Sequence, residues 1–244
     1  MLIVNGGYPR SGTVLVGAII CAVLRLEGRD WERYNPQERR ELPDFESKVR
    51  TWPDSGAILL IHTHIADANV LSALTVRSDA VVFWNHRDPR DVVVSLRKLH
   101  DLPLERALTA VQVYAKVEQV VTQSKLALRL RYEDFAKDPT ALVAQVADHM
   151  GAALSEDQAN QIAQETSVSR HRKIMEDIAQ EALPGVRVIP TRARPLREDP
   201  ETLINDRHIQ SGAAGRWRLE LTADEQTIVA DTLGPFVRDL GYDA

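Results

Sequence analysis

Apolar runs alternate along the chain with stretches whose apolar positions have helical spacing. Three runs are continuous, and a fourth alternates less cleanly: Leu2–Asn5, Ala57–Thr63, Ala80–His86 and Leu126–Arg131. Continuous apolar strands separated by helices indicate a parallel sheet that is covered on both faces. The pattern therefore predicts an α/β protein with a central, mainly parallel sheet flanked by helices.

Helical patterns fill the intervals between the strands and most of the C-terminal third. They are predicted over Thr13–Leu26, Asp67–Thr75, Pro89–Leu99, Pro103–Ser124, Asp138–Met150, Ser155–Glu165 and Thr222–Leu240. Residues 182–211 carry several prolines and many charges, so no long regular element is expected there. Since no repeat or linker interrupts the pattern, we predict one domain over residues 1–244.

Composition narrows the class of protein. The chain has 244 residues, of which 44% are hydrophobic and 27% charged, and its net charge is −5. Such a balance gives no global attraction to nucleic acid or to an anionic membrane, so any anion site must be built locally. The single cysteine, Cys21, cannot form an internal disulfide, and the first residues do not read as a secretion signal. These features predict a cytoplasmic protein without a membrane partner.

The stretch GGYPRSGTVL, residues 6–15, has the spacing of a phosphate-binding loop in Gly7 and Gly12. Thr13 stands where a nucleotide triphosphatase carries lysine, and the positive charge is at Arg10 instead. A strand, a glycine turn and an apolar helix direct backbone N–H groups at an anion. The alternative is a tight turn capped by Ser11, which explains the serine and Gly12 but not Arg10. We therefore favour an anion site.

A second stretch, HRDPRDVVVSLRKLH at residues 86–100, begins a helix. Asp88 is suited to cap it, Pro89 to its first turn, and Asp91 to its positive end. Arg87 lies at the end of the preceding strand, and Ser95 lies on the helix eight residues later. Taken alone, each of these two is typical of a surface charge or a solvated hydroxyl.

Together these motifs resemble the sulfotransferases that use 3′-phosphoadenosine 5′-phosphosulfate (PAPS). That family has Y-P-[KR]-S-G-T in its first loop, R-x-x-[KR]-D-x-x-x-S in the second motif, and K-T-H, Y-E-D and G-x-x-G-x-W elsewhere. The matches stand in family order and span nearly the whole chain. They are Tyr8–Thr13, His62–His64, Arg87 with Arg90, Asp91 and Ser95, Tyr132–Asp134, and Gly212 with Gly215 and Trp217.

The resemblance implies a P-loop-like three-layer fold and a metal-independent transferase. The first loop would hold the 5′-phosphosulfate through the backbone of Arg10 to Val14 and the hydroxyls of Ser11 and Thr13. Arg87 and Ser95 would hold the 3′-phosphate, and Tyr132 would lie near the adenine. The cofactor-binding positions implied in this way are Arg10, Ser11, Gly12, Thr13, Val14, Arg87, Ser95, Tyr132, Ser211 and Gly212.

The chain departs from the family pattern at two places. His62 replaces the lysine of K-T-H, and Gln210 and Ser211 stand where basic residues often precede the first glycine of the last motif. Arg207 is a candidate to replace the missing 3′-phosphate contact. The role of His62 is left open between orienting its neighbour, contacting the sulfate and packing.

The chemistry assigns two catalytic residues, His64 and Arg10. Arg10 is placed to stabilise charge on the oxygen that bridges phosphate and sulfate, and it acts only electrostatically because it stays protonated. His64 follows a predicted strand, where ligand sites of parallel sheets form, and is the candidate base for the acceptor. The alternative is a histidine at a strand end that is bonded to backbone, and the flanking motifs favour the base.

Two rival functions remain at this level: a kinase that uses ATP and magnesium on the same loop, and a noncatalytic nucleotide-binding protein of the same fold. The acceptor is expected to be a small molecule with a hydroxyl or an amine, bound near residues 30–56 and 182–211. Neither its identity nor the oligomeric state follows from the sequence. Four aromatic residues, Trp31, Tyr34, Phe45 and Trp52, could line its pocket or form a satellite core.

The polar cluster Arg170–Lys173, which includes His171, is interpreted as a solvated helix face, with acceptor binding as the alternative.

Overall fold

The computed structural model describes residues 1–53, 56–135, 137–189, 195–199, 202–206 and 212–243. Its strands are β1 (Leu2–Gly7), β2 (Trp31–Tyr34), β3 (Ile58–Thr63), β4 (Ala80–His86), β5 (Leu128–Arg131), β6 (Arg187–Ile189) and β7 (Leu196–Glu198). Its helices are α1 (Thr13–Leu26), α2 (Leu42–Thr51), α3 (Ala68–Thr75), α4 (Pro89–His100), α5 (Leu104–Ser124), α6 (Tyr132–Phe135), α7 (Pro139–His149), α8 (Glu156–Glu165), α9 (Val168–Ala179), α10 (Trp217–Glu220) and α11 (Ala223–Asp239). No helix within these ranges is long and apolar enough to cross a membrane.

Five parallel strands form the central sheet in the order β2-β3-β1-β4-β5. In this register Gly6 of β1 lies beside Thr63 of β3, and Gly7 lies beside Asn85 of β4. The carboxyl ends of the three middle strands therefore meet at one edge, where open parallel sheets bind ligands. β6 and β7 form a separate antiparallel hairpin.

Alternate residues of each strand face opposite layers of helices. Ile3 packs with α1, α7 and α8, whereas Leu2 and Val4 pack with α2 and α3. A third cluster joins α4, α5 and α11. Both faces of the sheet are covered, which explains the nearly continuous apolar runs and confirms the predicted three-layer α/β fold.

Local capping fixes where most predicted helices begin. The side chains of Asp67, Asp88, Asp138, Ser155 and Thr222 each accept a hydrogen bond from a backbone N–H in the first turn of their helix. Each satisfies a donor that would otherwise lack a partner at a helix start. The helix starts read from the sequence are confirmed to within one residue.

Residues 30–56 contain two elements that the pattern did not predict, β2 and α2. β2 is an edge strand with the sequence WERY, whose charges hide the strand signal. Phe45 of α2 is fully buried, and Trp52 packs on the same cluster. Trp31 packs on the cluster that includes α1. All four aromatic residues therefore pack in or against a core cluster, and Tyr34 also lines a cavity beside α1.

Candidate functional site

A cleft of about 720 Å³ opens at the carboxyl edge of the sheet. The sequence-predicted site residues that line it are Arg10, Gly12, Thr13, Val14, His64, Arg87, Ser95, Tyr132 and Gly212. Their positions along the chain range from the first loop to the last motif, so the fold brings the motifs to one place. Ser211, Gln210 and Arg207 lie outside the described residues.

Two glycines shape the loop after β1. Gly12, the N-cap residue of α1, has a φ of 88°, and a β-carbon there would lie 2.6 Å from the ring of Phe135. Gly7 has a φ of 151°, and a β-carbon there would lie 2.3 Å from the carbonyl oxygen of Asn85. The backbone can follow this path only without side chains at both positions. Arg10 is also left-handed, with a φ of 71°, a conformation of the kind that clusters at ligand sites.

Ser11 does not cap α1. Its buried hydroxyl lies 2.6 Å from the carbonyl oxygen of Tyr8 and 3.1 Å from that of Asn85, and it donates to these groups. The capping interpretation is wrong, because Gly12 occupies the N-cap and offers no side chain. Among the described residues no side chain caps the first turn, so its N–H groups suit a ligand in the cleft.

Arg10 and Ser95 meet across the cleft. The Nε of Arg10 donates to the Ser95 hydroxyl at 2.9 Å, which ties the first loop to α4. Burial, together with the nearby charge of Arg87, lowers the pKa of Arg10 to about 10. Arg10 therefore keeps its positive charge at neutral pH.

Arg87 is held by contacts with several segments. Its guanidinium donates to the carbonyl oxygens of Ala213 at 2.7 Å and Arg10 at 3.3 Å. It also stacks 4.1 Å from the ring centroid of Tyr132, whose hydroxyl donates to the carbonyl of Gly212 at 2.7 Å. Within the described residues the buried Nε of Arg87 has no hydrogen-bond partner, so one donor is left over.

Asp91 fastens the last motif to the start of α4. Its carboxylate accepts from the backbone N–H of Gly215 at 2.7 Å and of Trp217 at 3.0 Å, and it also pairs with Arg87 at 3.4 Å. Sequence reasoning expected Asp91 only at the helix N-terminus. These contacts join residues more than a hundred positions apart in the sequence, and no local sequence pattern predicts them.

His64 directly follows β3, and its Nδ1 lies 2.8 Å from the carbonyl oxygen of Gly7. A carbonyl oxygen only accepts, so Nδ1 carries the ring proton and Nε2 carries a lone pair. Burial lowers the pKa of His64 below its ordinary value of 6.5, the Gly7 bond opposes this, and the charge of Arg10 adds to it. The ring is therefore neutral at pH 7 and offers Nε2 as a proton acceptor.

His62 has the opposite hydrogen-bonding character. The Asn5 amide is oriented by Asn85, which donates to its oxygen at 2.9 Å, and by its own bond to the Thr13 carbonyl at 2.7 Å. Its nitrogen then donates to Nδ1 of His62 at 3.4 Å, which leaves the proton of the neutral ring on Nε2. Burial lowers the pKa of His62 to about 3. The two rings meet edge to face, with centroids 5.6 Å apart, so a ring with a donor Nε2 neighbours a ring with an acceptor Nε2.

His171 was interpreted as part of a solvated helix face, and for this residue the interpretation is wrong. Its side chain is 4% exposed, whereas Arg170, Arg172 and Lys173 are largely solvated. His171 lies on the buried side of α9 and lines the cleft. A single polar residue within a polar helical stretch gives no sequence signal of which face it occupies.

Arg216 is a further cleft residue that sequence reasoning missed. It follows Gly215 directly in the last motif and forms an ion pair with Glu220. Its position inside the G-x-x-G-x-W match was the available signal.

The chain is similar to known proteins in sequence and in fold. Residues 2–234 match the family model described as "Sulfotransferase domain". Sulfotransferase 2B1 of Homo sapiens is 35% identical over 91 residues, which are 36% of this chain and 24% of that protein. The match thus spans about a quarter of the length of this curated relative.

Two solved structures have a similar fold. One is retinol dehydratase in a complex with retinol and PAP, with a TM-score of 0.66 and 18% identity over 100% of this chain and 83% of that chain. The other is mouse sulfotransferase SULT7A1 complexed with PAP, with a TM-score of 0.63 and 17% identity over 98% of this chain and 86% of that chain. At these identities the two structures establish a shared fold.

Proposed function

The chain belongs to the sulfotransferase domain family, and on this premise we propose that it transfers a sulfuryl group from PAPS to a hydroxyl or amine of a small molecule. The observation that carries the proposal is the position of His64. His64 lines the same cleft as Arg10 and Arg87, and its bond to Gly7 leaves Nε2 as the acceptor nitrogen; no side chain among the described residues caps the start of α1.

The residues present suit an adenosine 3′,5′-bisphosphate moiety. The uncapped first turn of α1 and the charge of Arg10 suit one anionic group. The unpartnered Nε of Arg87 and the nearby hydroxyl of Ser95 suit a second anion. The ring of Tyr132, next to Arg87, and the backbone at Gly212 suit the adenine base of the bisphosphate. Ser11 would contribute its backbone, since its hydroxyl is occupied.

When bound, PAPS supplies the sulfuryl group, whose sulfur bonds to the acceptor oxygen as its bond to the bridging phosphate oxygen breaks. Arg10 stabilises the charge that develops on the bridging oxygen, and it does so without giving up its proton. Nε2 of His64 takes the acceptor proton, while the bond from Nδ1 to Gly7 holds the ring in the required tautomer. The Nε2–H of His62, which stands where the family has lysine, would be available to donate to an oxygen of the bound sulfuryl group.

A small-molecule acceptor is supported by the neighbours. The retinol dehydratase structures hold retinol in one case and androsterone in the other. The cleft of this chain has the size of a small-ligand site. A cytoplasmic setting agrees with the free, buried thiol of Cys21.

The test measures binding and transfer separately. Calorimetry with adenosine 3′,5′-bisphosphate, adenosine 5′-phosphate and ATP, with magnesium or EDTA, should give tightest binding of the bisphosphate in both conditions. Labelled PAPS and a panel of alcohols, phenols and amines should then yield a sulfated product in EDTA. A strict requirement for ATP and magnesium would establish the kinase instead. Bisphosphate binding without turnover of any acceptor would favour the noncatalytic protein.

A further inference from the structure

One face of α4 carries polar side chains at helical spacing. Asp91, Ser95 and Lys98 lie four and three residues apart, so their side chains share this face. Arg87 precedes the helix and pairs with Asp91 at 3.4 Å, which extends the row by one position. Arg87 and Ser95 both lie in the wall of the cleft. The row therefore passes along the region that suits the second anion.

The chain from Gly215 to Glu220 is attached to this face at both ends. The backbone N–H of Gly215 donates to Asp91 at 2.7 Å, and Glu220 forms an ion pair with Lys98. Arg216 lies between these attachments and lines the cleft. Its Nε donates to Glu220 at 2.6 Å, and its side chain is 14% exposed. The guanidinium of Arg216 is therefore held beside the middle of the same helix face.

The groups on both sides of Ser95 have positive charge and donor capacity to spare. Lys98 and Arg216 both pair with Glu220, so within the described residues two cations share one carboxylate. On the other side of Ser95, the buried Nε of Arg87 has no hydrogen-bond partner among those residues. An excess of positive charge and an unused donor both favour an anion bound between the two arginines.

The charge of Arg216 also acts on the first loop. Burial lowers the pKa of Arg10, and the charges of Arg87 and Arg216 lower it further. Both guanidinium groups are therefore near enough to repel that of Arg10. A phosphate bound among them would offset this repulsion.

Resting on the proposed function, we propose that Arg216 binds the 3′-phosphate of the nucleotide from the side opposite Arg87, with Ser95 between them. Arg216 then gives up part of its contact with Glu220, which keeps Lys98 as a partner. Two uncharged residues precede the first glycine of the last motif, so the positive charge comes from the other end of that motif. Arg216 is in this way a specificity-determining residue, which selects a nucleotide with a phosphate at the 3′ position.

The first test measures by calorimetry the preference for adenosine 3′,5′-bisphosphate over adenosine 5′-phosphate. Arg216→Ala should narrow this preference by about tenfold, because only the bisphosphate carries the group that Arg216 binds. Arg216→Lys keeps the charge without the planar fork, so its preference should lie between the two. Arg218→Ala, an exposed position of the same segment outside the described cleft wall, should leave the preference unaltered. An unchanged preference in Arg216→Ala would overturn the proposal.

The second test separates a phosphate contact from support of the fold. Glu220→Ala breaks the same ion pair but keeps Arg216, so its preference for the bisphosphate should not be narrowed. If Glu220→Ala narrows the preference as much as Arg216→Ala does, the ion pair rather than a phosphate contact is responsible, and the proposal is overturned. Failure of the proposed function would appear separately, because the unaltered protein would then show no preference for the bisphosphate.

Discussion

At the scale of single residues, two histidines two positions apart are set in opposite tautomers by their backbone surroundings. His64 gives its Nδ1 proton to the Gly7 carbonyl and so keeps an open lone pair. His62 receives a hydrogen bond from Asn5 and so keeps an N–H. Burial keeps both rings neutral at pH 7 by lowering their pKa values. Two chemically identical side chains can therefore serve as a base and as a donor.

We expect His64→Ala to lower the single-turnover rate by ~10²–10⁴-fold, the usual contribution of a general base, with bisphosphate affinity nearly unchanged. His62→Ala should be milder, because it removes a hydrogen-bond donor. As the pH is lowered, the single-turnover rate should begin to fall only below pH 6.5. The lowered pKa keeps the His64 ring unprotonated, and so able to act as a base, at more acidic pH than an ordinary histidine. Rapid-quench rates across pH for both variants test this. A full rate with an unaltered pH profile in His64→Ala would assign the base elsewhere.

Arg87 should distinguish adenosine 3′,5′-bisphosphate from adenosine 5′-phosphate. Loss of a hydrogen bond to a charged group costs ~1.5–3 kcal/mol, so Arg87→Ala should narrow the preference for the bisphosphate by ~10–100-fold. Arg97→Ala is the matched control, since Arg97 lies on α4 and pairs with Glu225 outside the described cleft wall. Calorimetric titration of the two ligands gives the ratio for each variant. An unchanged ratio in a folded Arg87→Ala protein would contradict the assignment.

At the scale of elements, the start of α4 organises the site from three directions. Asp88 caps the helix, Asp91 holds the loop before α10, and Ser95 contacts the loop after β1. Arg87, one residue before the cap, is stacked on Tyr132 at the start of α6. One short helix start thus fixes the relative positions of segments that lie far apart in sequence.

Asp91→Ala should loosen the last motif, Gly212 to Trp217, and weaken the binding of the bisphosphate. It leaves the N–H groups of Gly215 and Trp217 unpaired and removes a partner of buried Arg87, a change that costs roughly 3 kcal/mol in comparable buried pairs. Urea unfolding and bisphosphate titration should both show the loss. Asp231→Ala, on the exposed side of α11, should show neither. If the Asp91→Ala protein is destabilised but still binds the bisphosphate tightly, the contacts of Asp91 with Gly215 and Trp217 are not needed for bisphosphate binding, which would contradict the prediction.

At the scale of the whole molecule, histidines whose pKa is lowered by burial make stability sensitive to acid. Burial lowers the pKa to about 3 for His62 and to about 4 for His86 and His171. In the unfolded chain these histidines bind protons near pH 6.5, whereas in the folded chain they bind them only near their lowered pKa values. Protons therefore favour the unfolded chain, and the free energy of unfolding falls as the pH drops from 6.5 toward 4. Urea titrations across this range measure the slope, and His171→Leu should reduce it. A flat profile would contradict the burial of these rings.

The single domain predicted over residues 1–244 should unfold in one cooperative transition. Far-ultraviolet and near-ultraviolet circular dichroism should give the same midpoint, and bound bisphosphate should raise it because the ligand binds the folded state. Two separated transitions, of which the ligand shifts one, would indicate two units.

The sequence by itself determined the α/β class, the strands of the sheet interior, most helix starts and the loop around Gly12. These features rest on local properties, namely apolar periodicity, capping residues and glycine, which each segment carries in itself. The edge strand β2 was not predicted, because a short edge strand partly faces solvent and so needs no apolar pattern. Family motifs supplied a part of the cleft lining, but not what each side chain contacts.

Only the tertiary structure decided the direction of the Ser11 hydroxyl, the attachment of the last motif to Asp91, the tautomers of His62 and His64, and the burial of His171. Each depends on a partner brought from a distant segment by the packing of strands and helices. A hydrogen bond or a pKa follows from the surroundings of a group, and those surroundings exist only once the chain is folded.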